Sequence, residues 1–386
     1  MPGSLTIEIV KADQLTVADR ILWRAMTEAN PDLASPYFRW EFTEIAARIV
    51  PGAAVAILSR DGRTIGYFPH QRRGSAIQPL GAPMNDYHGV IAMPGDAPPL
   101  TVVADLLGAA RLSVSAWVGP SGTGALRETL MTLLPEQGAG SWDAWYAERR
   151  QTWGKYFKDK ERARRSLETE LGKIRVEHGL TDPVLLDHLI GLKRDQYART
   201  GRHDIFACGW TRDLLHALMA SGQGDFGASM AGLWAGERLT AIEYSLHAGD
   251  RYHFWFPAYE PGLARCSPGI LLTLDTMRLG ADAGFRVFDF GFGGEGYKKY
   301  FCNATQSVRE AVVLRPGVGA VLSDMAVGLL NSAAGGRGER LRTSVRRRWA
   351  AIEGCETSAG QRFRGAASAA VVAMRKARGA QGATAG

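Results

Sequence analysis

The residue types best suited to acting on a small ligand fall in one stretch, Arg251 to Phe301, RYHFWFPAYEPGLARCSPGILLTLDTMRLGADAGFRVFDFGFGGEGYKKYF. Asp289 is a lone carboxylate among apolar neighbours in Val287-Phe288-Asp289-Phe290. A carboxylate taken out of water is costly unless paired, so Asp289 needs either a partner or a chemical role, and Lys298 and Lys299 are close enough in sequence to be the partner. Ser267-Pro268-Gly269 reads as a helix start, with Ser as N-cap, Pro in the first turn and Ile270, Leu271, Leu274 and Met277 along one face. The free N–H groups and dipole of a helix start attract an anion, and Arg265 would add a cation. A well-capped packing helix is the other reading of the same residues. Upstream, Glu243 and His247 are four apart in one strand and share a face. His253 in the next strand could join them, or serve as a structural histidine.

Two other signals are weaker. Gly291 to Gly296 literally fits G-x-G-x-x-G after a strand. A dinucleotide site needs a long helix next and then a strand ending in an acid, whereas YKKYFCNATQ supplies barely two turns and Glu310 is expected to precede its strand. The cysteines, Cys208, Cys266, Cys302 and Cys355, are widely spaced, with no C-x-x-C pair and no Cys/His cluster. Neither a disulfide framework nor a metal site is expected from that spacing, and Cys266 lacks a visible histidine partner for a nucleophilic role.

The elements that must position these residues form a repeat. Leu5 to Val10 alternates as a strand; Asp19 to Glu28 and Tyr37 to Ile49 read as helices. Two apolar runs then meet at Asp61-Gly62, a hairpin signal. A loop carrying Asn85, Asp86, Tyr87 and His88 follows, then a helix from Leu100 to Leu112, a strand from Ser113 to Val118 and a helix from Thr123 to Leu133. From Lys155 to Gly172 charges of both signs intermix. This is a solvated connecting helix, or an anion-contacting one through Lys155, Lys158, Arg162 and Arg165 at three- and four-residue spacing. The order then recurs from Lys173, with a capped helix at Asp182-Pro183 and three strands joined at tight Gly turns. The expected units are 1–150, a connecting helix 151–172, a second half 173–322 and a basic tail 323–386.

The 386 residues carry a net charge of +7. Eleven Lys/Arg and four acids lie from Ser323 onward, which accounts for all of it and leaves the body neutral. A neutral body argues against nucleic acid as a partner, while RLRTSVRRRWAAIEG suits an anionic membrane surface or a partner protein; a disordered extension is the alternative. The start, MPGSLTIEIV, has neither a charged leader nor an apolar core, and no run reaches membrane-spanning length. The expected location is cytoplasmic, with peripheral inner-membrane contact through the tail.

FWFPAYEPGLARCSPGILL followed by GFRVFDFGFGGEGYKKYF resembles the cellulose-biosynthesis (CelD-like) acetyltransferase family of bacteria, and NPDLASPYF and LGAPMNDYHGV resemble its N-terminal half. The element order is similar to that of the GNAT acyltransferases, and the tandem arrangement to that of the Fem-type transferases. The resemblance implies a mixed α/β (α+β) fold of two GNAT-like halves and acyl-CoA-dependent transfer to an amine or hydroxyl of a sugar or polysaccharide precursor. A non-catalytic role in a polysaccharide-synthesis assembly and a Fem-like aminoacyl-tRNA-dependent transfer are the alternatives. It assigns acyl-CoA to His253, Trp255, Arg265, Ser267, Gly269 and Ile270. Chemistry falls to Asp289 and Glu243 as bases with raised pKa, Tyr297 as thiolate acid and Lys298 as a hold on Asp289 or on an acidic acceptor. Asn85, Asp86, Tyr87 and His88 would meet the acceptor. LARCSPG departs from the usual Gly-rich pyrophosphate loop, echoing it only at Arg265 and Gly269.

Overall fold

The computed structural model describes residues 4–135, 141–222, 224–315, 347–358 and 360–362. Its strands are β1 (Leu5–Val10), β2 (Ala53–Arg60), β3 (Arg63–Arg73), β4 (Ala76–Pro79), β5 (His88–Gly89), β6 (Ile91–Ala92), β7 (Arg111–Val118), β8 (Ala125–Leu133), β9 (Ile174–Leu180), β10 (Phe226–Ala235), β11 (Arg238–Ala248), β12 (Arg251–Tyr259), β13 (Val287–Phe292) and β14 (Ala304–Leu314). The helices are α1 (Val17–Ala29), α2 (Trp40–Ile49), α3 (Leu100–Leu106), α4 (Ser141–Thr152), α5 (Gly154–Leu171), α6 (Pro183–Thr200), α7 (Trp210–Ala220), α8 (Pro268–Asp282) and α9 (Lys298–Phe301). The fold is mixed α/β.

Local chemistry sets most boundaries. Thr16 caps α1 by accepting the Asp19 N–H, and the Asp19 carboxylate accepts the Thr16 N–H in return. Asp182 caps α6 at the Val184 N–H, Pro183 occupies its first turn, and Gly201 closes it at φ +65°. Asp61 and Gly62 both take positive φ, as a two-residue hairpin between β2 and β3 requires.

All strands belong to one sheet, in the order β1-β2-β3-β4-β7-β14-β8-β13-β12-β11-β10-β9, with β5 on β7 and β6 on β3. The halves exchange strands at its centre. β8 of the first half pairs antiparallel with β13, and β14 of the second half pairs antiparallel with β7 and β8. This corrects the helix expected over Thr123 to Leu133: the stretch is β8, hydrogen-bonded on both edges. Glu310 likewise lies inside β14 rather than before it.

In each half one parallel strand pair opens after a few residues. β12 and β13 pair only at Arg251–Val287, Tyr252–Phe288 and His253–Asp289. Beyond that point β12 runs on to Tyr259 and β13 to Phe292, leaving a splay between them. β4 and β7 pair only at Ala76–Arg111 and Ile77–Leu112. The main core lies where α1 and α2 meet α6 and α7, with α2 packed on α7. An aromatic cluster of Trp142, Trp145, Phe157, Phe254, Phe288 and Phe290 joins α4 and α5 to the opposite face of the second half.

Of the tail, residues 347–355 form a helix docked on the body. Gln78 Nε2 donates to Ala350 O at 2.9 Å, Trp210 Nε1 donates to Cys355 O at 3.2 Å, and Glu353 pairs with Arg111. The 347–354 part of the strip expected on a membrane is therefore committed to both halves of the body. Residues 340–346, and the tail's remaining expectations, lie outside the described residues.

Candidate functional site

His253 and Asp289 are side by side because β12 and β13 are still paired there, one residue before they part. Both are fully buried. Asp289 Oδ1 accepts hydrogen bonds from Tyr87 OH at 2.9 Å and from the Gly291 N–H at 2.8 Å; Oδ2 is 3.2 Å from Arg251 Nη1. His253 Nδ1 is 3.6 Å from Asp289 Oδ1, and its Nε2 meets Asp86 Oδ2 at 3.1 Å. Gly291 makes room for this meeting at φ +63°, since a Cβ there would be 3.2 Å from Asp86 Oδ2. Two residues of the first half, Asp86 and Tyr87, thus reach across to three of the second.

Electrostatics fixes the charge of the pair. Burial pushes the Asp289 pKa up, but His253, Arg251 and the Gly291 N–H outweigh it and bring it to about 2. This corrects the expectation of a raised pKa: Asp289 is held ionised, and its two oxygens are taken up by Tyr87, the Gly291 N–H and Arg251. Burial lowers the His253 pKa, yet Asp289 and Asp86 together lift it to about 9. Its Nε2–H is then a donor that orients Asp86.

Asp86, a third exposed, lines a cavity of about 970 Å³. The cavity is bounded by β4, β7, β8, β14 and residues 347–351, with Phe292 and Gly293 at the end of β13 also in its lining. Asn85 and His88 also line it; Asn85 Nδ2 donates to Leu80 O, and His88 Nε2 is 2.7 Å from Ser115 Oγ. Tyr87, by contrast, is spent on Asp289.

Glu243 lies on the other face of the sheet. It is fully buried near Thr276 of α8, and burial raises its pKa to about 8, in the expected direction. The hairpin register, with Ala248 opposite Arg251, places His253 opposite Leu246, so His253 does not join Glu243 and His247 as expected. Tyr297 is close enough to feel the Glu243 charge; burial, Glu295 and Glu243 all raise its pKa, so the phenol keeps its proton. Lys298 does not hold Asp289. Its Nζ donates to Phe290 O and Phe292 O at 2.7 and 2.5 Å and pairs with Glu295 at 2.9 Å.

At the start of α8, Ser267 is the N-cap residue but sits at φ +51°, and its hydroxyl receives Lys160 Nζ at 2.9 Å instead of capping a backbone N–H. Ile270 N–H is used within the turn, by Ser267 O, and Pro268 has none; the Gly269 N–H has no backbone acceptor among the described residues. Arg265 does not reach this spot because Glu170 holds it. On α5 the residues expected to meet an anion, Lys155, Lys158, Arg162 and Arg165, are exposed; Lys160 and Arg164 face α8 instead. His253 and Trp255 also turn from the expected donor side: Tyr37 packs on both rings, and Trp255 Nε1 donates to Met84 O at 2.7 Å.

Sequence reasoning missed Arg251, Lys160 and Arg202. Arg251 had a signal, since it lies two residues before His253 and shares its strand face. Lys160 had none, because the helix phase that buries it is set by packing on α8.

Residues 154–299 match the family model described as the acetyltransferase (GNAT) domain. The second half of the chain thus carries an acyltransferase domain of the GNAT superfamily, which defines the class of enzyme. Among solved structures the chain is similar to FemX, at 11% identity and TM-score 0.46 over 78% of this chain and 95% of that one. A tandem GNAT protein from the clavulanic acid biosynthesis pathway is similar at 10% identity and TM-score 0.45, over 81% and 100%. L-PGS from Bacillus licheniformis is similar at 10% and 0.40, over 80% and 94%. The comparison with curated proteins found no match. Among the described residues no helix is long and apolar enough to cross a membrane.

Proposed function

We propose that the protein transfers an acyl group from acyl-CoA to an amine or hydroxyl of a saccharide-type acceptor held between its two halves. The observation that carries this is Asp86, oriented by the buried His253–Asp289 pair and open to a polar cavity that residues of both halves line. The saccharide class also follows the resemblance of LGAPMNDYHGV, the segment that supplies Asp86, to a polysaccharide-linked family.

Bound acyl-CoA would supply an activated thioester. Lys160 Nζ, the Ser267 hydroxyl and the Gly269 N–H form a cation-and-donor cluster at a helix start, which fits a pyrophosphate. Asp86 accepts the proton of the attacking amine or hydroxyl, and His253 keeps Asp86 turned toward the cavity. The new C–N or C–O bond forms as the C–S bond breaks. Tyr297, a neutral phenol on the α8 side, returns a proton to the leaving sulfur.

The test is a thiol-release assay with acetyl-CoA against amino sugars and nucleotide sugars. Asp86→Asn is expected to lower kcat by roughly a hundredfold or more, the usual weight of a positioned base, with CoA affinity unchanged. Turnover close to wild type in that variant would remove Asp86 from this role.

A further inference from the structure

The two halves repeat the same splay, but only one keeps an open helix start beside it. In the first half the corresponding helix is α3, and its first two N–H groups donate to Pro120 O at 3.0 Å and Ser121 O at 3.4 Å. That start is plugged, so the first-half splay is not a second donor site. What occupies it is the polar cavity, and its charges are distributed unevenly. Arg127 Nε donates to Glu310 Oε2 at 2.9 Å, and Arg347 donates to both Glu310 oxygens at 3.0 and 2.6 Å, so among the described residues two guanidiniums share this carboxylate. Arg202, from the loop after α6 in the other half, lines the same cavity. It is exposed and makes no ion pair among the described residues.

An exposed guanidinium that makes no ion pair among the described residues, in a cavity also lined by the Arg127–Glu310–Arg347 group, by the exposed carboxylate of Glu128 and by serines and amides, suits a ligand that combines an anion with hydroxyls. Resting on the acyl-transfer reading of the cavity, we infer that the acceptor is an anionic saccharide, whose phosphate or carboxylate is bound by Arg202 in the cavity that the Arg127–Glu310–Arg347 group also lines. The nucleophile then lies toward Asp86, and the halves cooperate through Arg202 as they do through Asp86.

Calorimetry on the full chain tests this, with glucosamine, glucosamine 6-phosphate and glucuronate as probes, in wild type and Arg202→Gln. At least one anionic sugar is expected to bind about tenfold or more tighter than glucosamine, as a charge-assisted bidentate contact would give; which of the two is tighter distinguishes phosphate from carboxylate. Arg202→Gln should erase that difference by weakening only the anionic sugar, while Arg202→Lys recovers part of it. Equal binding of all three sugars, no binding of any, or an unchanged anionic affinity in Arg202→Gln overturns the inference. CoA is titrated separately. Sugar discrimination without CoA binding would support the anionic site and overturn the donor reading alone.

Discussion

A histidine with no access to solvent holds its proton to about pH 9 because two carboxylates, Asp289 and Asp86, face it. The consequence is a linkage between pH and stability. The folded-state pKa lies above the ordinary 6.5, so the stabilisation from His253 is complete below about 6.5 and is lost as pH rises through about 9. Urea denaturation at a series of pH values should show wild type losing stability across that window relative to His253→Gln. A constant difference between the two proteins would show that His253 is not charged in the folded state. Arg251 completes the balance, two cations against two anions, and this explains how Asp289 tolerates full burial.

At the scale of elements, two helices and one strand were decided by what they pack against. The LRETLMTL run spaces its leucines as a helix would, but β13 and β14 offer open edges on both sides, and the strand pairs with each. Tertiary pairing outweighs helix propensity here, since propensity differences are a few tenths of a kcal/mol per residue. In α5 the intermixed charges divide by face: those toward solvent stay hydrated, whereas Lys160 meets Ser267 and Arg164 meets Asp275. If α8 and α5 together hold the donor's pyrophosphate, Lys160→Met should weaken CoA binding by roughly tenfold, in the range of one charged hydrogen bond. The far-UV circular dichroism should not change, because Lys160 is only half-buried. Calorimetric titration with CoA reads the effect, and an unaltered affinity would place the pyrophosphate elsewhere.

For the whole molecule the strand exchange is the controlling feature. Neither half owns a complete sheet: the second lacks β8 at the edge of β13, and the first lacks β14 at the edge of β7. Fragments cut between α4 and α5 should each be insoluble or unfolded alone and should recover a folded circular dichroism spectrum when co-expressed. A second-half fragment that folds and binds CoA by itself would show that the exchange is dispensable. The same exchange brings Asp86 and Tyr87 against His253 and Asp289, so the site exists only in the joined molecule.

Local features are legible in the residues alone: the capped starts of α1 and α6, the hairpin at Asp61-Gly62, the strand–helix order of the second half and the need of Asp289 for a partner. These are set by residues within a turn or two of each other, where backbone hydrogen bonding and the cost of burying a charge act without reference to the rest of the chain. Long-range packing selects the partners of Asp289, which are Arg251, His253 and Tyr87 and not the nearby Lys298. It also decided that Glu243 and His253 lie on opposite faces of the sheet, and that Arg202 enters the first half's cavity. Those outcomes depend on strand register and on the exchange between halves, which pair residues up to about two hundred positions apart and leave no local trace.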